Sequence, residues 1–109
     1  MELTITTRVV SPTVVLDLSG RLCFLDRSLH ERVIALLAEG LRDFTLDLAD
    51  VSYMDSFGLG QLVTTWTSIQ NQNGRLRLSR PNEHVRKLLQ ITKLDSVFEI
   101  YVGESAAAL

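Results

Sequence analysis

Apolar and polar residues alternate at Leu3 and Ile5 and again at Val14, Leu16 and Leu18, the period of a half-buried strand. Ser11-Pro12 between the two runs has turn chemistry, so the chain is expected to open with a β-hairpin. After Gly20 the period changes. Leu29, Val33, Leu36, Leu37 and Leu41 recur at spacings near three and four, the single apolar stripe of an amphipathic helix. Asp26 or Ser28 is placed to cap it, Ser28 and Glu31 have capping-box spacing, and Gly40 is placed to close it. Alternation returns in Phe44–Leu48, which predicts a strand that runs on through residues 50–54 into a turn.

Leu59, Leu62, Val63, Trp66 and Ile69 mark a second amphipathic helix, ended near Asn73-Gly74. Arg75–Ser79 reads as a short strand. Pro81 suits the first turn of a third helix with Val85, Leu88 and Leu89 on its inner face. Val97–Val102 is expected to form a last edge strand, and Ala106–Leu109 a short helix or a frayed end. The order β-β-α-β-α-β-α-β implies parallel pairing through right-handed crossovers in its later part. With the antiparallel hairpin, this predicts a mixed α/β sheet carrying helices.

Composition narrows the function. At 109 residues the chain suits one domain spanning residues 1–109, with no repeat or linker to divide it. Eleven basic and thirteen acidic residues are spread along it, for a net charge of −2 without a basic patch. Nucleic acid is therefore not an expected partner. Cys23 is the sole cysteine, which leaves no intrachain disulfide and no cysteine pair for zinc. No apolar run has the length of a membrane span, and the first residues lack the pattern of a signal peptide, so a cytoplasmic chain without membrane insertion is expected. The even charge and the absence of a spare apolar stripe favour a monomer.

The chemistry concentrates in Val51–Val63, VSYMDSFGLGQLV. Asp55-Ser56 stands where a strand turns into a helix, and a helix amino terminus presents unpaired amides and a positive dipole end. Either residue can cap that end. Alternatively Ser56 is exposed and accepts a phosphoryl group, partly stabilised by those amides and partly repelled by Asp55. A catalytic serine would need a base, and His30 and His84 are the only imidazoles. Both are expected on solvated helix faces, they lack metal-ligand spacing, and no GxSxG elbow surrounds Ser56. Gly58-Leu59-Gly60 has neither the lysine of a P-loop nor the GxGxxG spacing. Its glycines are expected to let the helix start approach the sheet closely.

The block DVSYMDSFGLGQLV resembles the STAS domain of bacterial anti-sigma-factor antagonists, which carry a strand, an Asp-Ser pair and then Gly-Leu-Gly opening a helix. The likeness continues through Leu18–Leu22, Asn73–Leu76, Val85–Leu89, Ile91–Leu94 and Phe98–Ile100, nearly the whole chain in order. It implies a STAS-like mixed sheet and a regulatory binding role. Such proteins bind an anti-sigma factor that is also a serine kinase and so free its sigma factor. The kinase phosphorylates the serine after the aspartate, here Ser56, and a PP2C-type phosphatase reverses this. The chain itself would be no enzyme and carry no cofactor, because the kinase brings the ATP and metal.

The partner-binding set expected on this likeness is Arg21, Cys23, Asp55, Ser56, Phe57, Gly58 and Gln61. Two of these depart from the family's pattern. Phe57 stands where relatives place Ser, Thr or Ala, and helical geometry puts it on the side of Gln61, Thr64 and Ser68, either as a partly exposed partner anchor or folded onto the adjacent loop. Cys23 stands where relatives place an aspartate, near the phosphorylated serine. STAS-like proteins also act as subunits of stress-signalling scaffolds and as partners of ABC-transporter ATPases, the alternative use of the same motif.

Overall fold

The computed structural model describes residues 2–23 and 26–102. Its elements are β1 (Thr4–Val10), β2 (Thr13–Leu22), α1 (Ser28–Ala38), β3 (Asp43–Met54), α2 (Ser56–Asn71), β4 (Arg75–Ser79), α3 (Glu83–Ile91), a 3-10 turn at Leu94–Ser96 and β5 (Glu99–Tyr101). The sheet runs β1-β2-β3-β4-β5. β1 pairs antiparallel with β2, and the remaining neighbours pair in parallel, which is the mixed α/β sheet expected. The strands advance in one direction across the sheet. Crossovers of one hand therefore place the three helices on the same face.

That face holds the core. Val14, Leu16 and Leu18 of β2, Phe44, Leu46 and Leu48 of β3, and Leu76 and Leu78 of β4 join Leu29, Val33 and Leu37 of α1, Leu59, Leu62 and Ile69 of α2, and Val85 and Leu89 of α3. The opposite face is closed by ion pairs lying over it. Arg8 meets Asp17, Arg80 meets Asp47, Arg77 meets Asp43, and Arg75 meets Glu99, at 2.5–2.7 Å.

β3 stays in the sheet to Met54, through residues 50–54 over which the strand was expected to run, because β2 follows it through two register shifts and both Val51 and Met54 are buried. Other boundaries differ from the sequence reading. The last strand is only Glu99–Tyr101, since Phe98 is drawn into the core and Leu94–Ser96 coil into a 3-10 turn. No capping box forms at α1. Ser28 is its first residue, and Asp26 Oδ1 accepts from the Ser28 N–H at 3.0 Å and from its hydroxyl at 2.5 Å. Pro81 lies before the cap of α3 rather than in its first turn, and Asn82 accepts from the Val85 N–H at 2.9 Å. Gly40 does follow α1 with φ +95°, as a closing glycine should. The expected element at Ala106–Leu109 lies outside the described residues.

Candidate functional site

The site is built where β3 ends and α2 begins. Asp55 is extended, at φ −107° and ψ −173°, and its Oδ1 accepts from the Gly58 N–H at 2.9 Å. Its backbone carbonyl accepts from the Leu59 N–H at 2.9 Å. Asp55 therefore caps α2, and Ser56 is the first helical residue, exposed at the surface and not needed for the cap. The nucleophile reading loses its base here, since both imidazoles are engaged elsewhere. His30 Nε2 lies 3.1 Å from Ser68 Oγ, and His84 Nε2 lies 3.1 Å from the Met54 carbonyl. His30 is half-buried between α1 and α2 rather than solvated; His84 is exposed. Among the described residues no group of three or more His, Cys, Asp or Glu side chains could hold a metal ion.

The two glycines behave differently. A Cβ on Gly58 would stand 2.0 Å from the Leu22 carbonyl oxygen, so this glycine lets α2 seat against the end of β2. Gly60 is exposed and a Cβ there would meet nothing within 4 Å, so close approach does not explain it. By seating on Leu22, α2 brings the β2 end beside Ser56. Cys23 is half-buried, and its carbonyl accepts from the Asp26 N–H at 3.2 Å. Gln61 Nε2 donates to the Asp26 carbonyl. Phe57 is 60% exposed in the first turn of α2.

Arg21, exposed, holds its guanidinium carbon 4.7 Å from the centroid of Tyr53, its partner in the β2–β3 register. Tyr53 in turn stacks on His84, with centroids 5.8 Å apart and planes at 17°. Sequence reasoning did not single out Tyr53, although an aromatic beside Met54 on an exposed strand end was a usable signal. His84 was judged only as a base, while its part in this stack depends on how α3 folds back. Arg21, Cys23, Asp55, Ser56, Phe57, Gly58 and Gln61 thus gather at one rim, formed by the carboxyl ends of β2 and β3 and the first two turns of α2.

The sheet order, the capped Asp-Ser turn and the glycine contact to β2 define an α/β module whose special feature is a presented serine. The chain belongs to the STAS domain family, whose model matches residues 4–107. It is 39% identical over 72 residues to an anti-sigma-B factor antagonist of Bacillus subtilis, an alignment covering 66% of this chain and 65% of that one. It is 33% identical over 75 residues to the anti-sigma-B factor antagonist of Staphylococcus epidermidis, covering 69% of each. The chain thus spans slightly less than two thirds of the Bacillus relative. A Thermotoga maritima structure, described as a candidate anti-sigma factor antagonist, superposes with a TM-score of 0.84 at 30% identity, covering 95% of this chain and 89% of that one.

Proposed function

We propose that the chain is an anti-sigma-factor antagonist. It binds a serine-kinase anti-sigma factor, so releasing a sigma factor, and phosphorylation of Ser56 by that kinase breaks the complex. A PP2C-type phosphatase restores it. One observation carries this reading: Asp55 supplies the cap of α2, which leaves Ser56 exposed at the first helical position beside it. The Bacillus and Staphylococcus relatives, named as antagonists of an anti-sigma factor, support it.

The chemistry follows from the position. A phosphate on Ser56 adds about two negative charges at a helix amino terminus, where the dipole tolerates them. The neighbouring Asp55 carboxylate is already committed to Gly58, so the added charge stays at the surface and changes what a partner meets without dismantling α2. The chain binds rather than catalyses on this reading, and it remains in the cytoplasm with the polymerase.

Phe57 serves as an apolar anchor beside the switch. Phe57→Ala is expected to weaken the complex by ~2 kcal/mol, about thirtyfold in affinity. The main test is incubation with the cognate kinase and ATP. Mass spectrometry should find one phosphate, absent in Ser56→Ala, and Ser56→Asp should no longer bind. A Ser56→Asp protein that binds the kinase as tightly as the wild type, with no phosphate on Ser56, would rule the reading out.

A further inference from the structure

α2 grips both described ends of the connection from β2 to α1, close to the Ser56 turn. At the first end, Gly58 is pressed against Leu22, with space for no side chain between them. At the second, three residues along α2, Gln61 Nε2 donates to the Asp26 carbonyl. Asp26 ties that end further, through its N–H to the Cys23 carbonyl and through its carboxylate to the Ser28 N–H and hydroxyl.

The other half of the Gln61 amide explains nothing about its choice. Gln61 Oε1 is buried and has no hydrogen-bond partner among the described residues, an unfavourable state for a carbonyl. The orientation is fixed by the other end, since only an amide N–H can face a carbonyl oxygen. Gln61 therefore spends its polar group on the connection and does not offer it to solvent. We infer that Gln61 is a positioning residue. It holds Cys23 and Asp26 in fixed relation to the Ser56 turn, so that both reach the partner as one preformed surface. This deepens, and rests on, the reading of Ser56 as the switch, but the fastening can be measured in the chain alone.

Cys23 is the only cysteine, so its labelling by a thiol reagent such as Ellman's reagent reports on this connection and nothing else. In Gln61→Glu, which keeps the shape but loses the donor, the labelling rate should rise at least about threefold and show no dependence on low urea concentrations, the mark of local opening. Thr64→Ala, an exposed change one turn away on α2, should leave the rate as in wild type. Gln61→Lys, which restores a donor, should recover most of the protection. Against a serine-kinase anti-sigma factor that binds the wild type, Gln61→Glu should bind about tenfold more weakly, the loss expected when a surface must be ordered on binding.

An unchanged labelling rate in Gln61→Glu overturns the inference, and so does a rise that steepens with urea, which reports global unfolding. Neither result touches the proposed function. A Ser56 that never accepts phosphate would overturn the proposed function and leave the fastening standing.

Discussion

Gly58 and Gly60 lie two residues apart on α2 and have opposite constraints. A Cβ at Gly58 would meet the Leu22 carbonyl at 2.0 Å and its carbon at 2.7 Å, both backbone atoms that cannot swing aside. Gly58→Ala is expected to lose ~2 kcal/mol of unfolding free energy, in the range for overpacking. Gly60 faces open space inside a regular helix, so Gly60→Ala should gain up to ~1 kcal/mol. Urea titrations of the two proteins check both signs, and equal effects would remove the argument. Sequence spacing grouped these glycines because Gly-Leu-Gly looks like one motif. Only the approach of Leu22, distant in the chain though adjacent in space, separates them. Asp55→Ala removes the cap to Gly58 and should cost ~1 kcal/mol.

At the scale of elements, β3 carries the largest difference between pattern and structure. Alternation stops at Leu48, although the chain is expected to run on through residues 50–54 into a turn. The strand continues because β2 pairs with it as far as Leu22–Met54, across shifts that break the two-residue period. A bulge erases the very pattern by which a strand is recognised. The same stretch is anchored by Asp47, whose carboxylate is 4% exposed, accepts from the Ala49 N–H at 3.0 Å and pairs with Arg80 at 2.6 Å. Arg80→Met leaves that buried carboxylate without its cation and is expected to destabilise by ~2 kcal/mol, the size of a lost hydrogen bond to a charged group. Asp47→Asn combined with Arg80→Met should recover part of the loss. If the double variant is as unstable as the sum of the single ones, the pair is not coupled.

For the whole molecule, the Arg75–Glu99 ion pair contributes a pH-dependent part of the stability. The Arg75 guanidinium grips Glu99 through two contacts, at 2.9 and 2.6 Å, and holds its carboxyl below the usual carboxylate range. A carboxyl lowered by folding stabilises the folded state above its unfolded value, and this contribution disappears as pH falls through the folded value. Both partners are well exposed, so solvent screens the effect. Glu99→Gln should therefore melt slightly below the wild type at neutral pH and match it in acid. Melting curves of both proteins from pH 7 to pH 2 check this, and a gap that stays constant with pH would count against it.

The sequence by itself determined the order of elements, the inner faces of all three helices and the stretch that holds the serine. These follow from periodicity and from turn and cap chemistry, which act between residues near in the chain. It also found the rim residues Asp55, Ser56, Phe57 and Gly58, because they form one run. The tertiary structure decided which residue of the Asp-Ser pair caps the helix, why Gly58 and not Gly60 has no room for a side chain, and that Gln61 turns to Asp26. It also assembled Arg21, Tyr53 and His84 from three separate elements into one stack. Each of these depends on groups brought together by the packing of α2 and α3 against the sheet, and no local period in the chain encodes such a meeting.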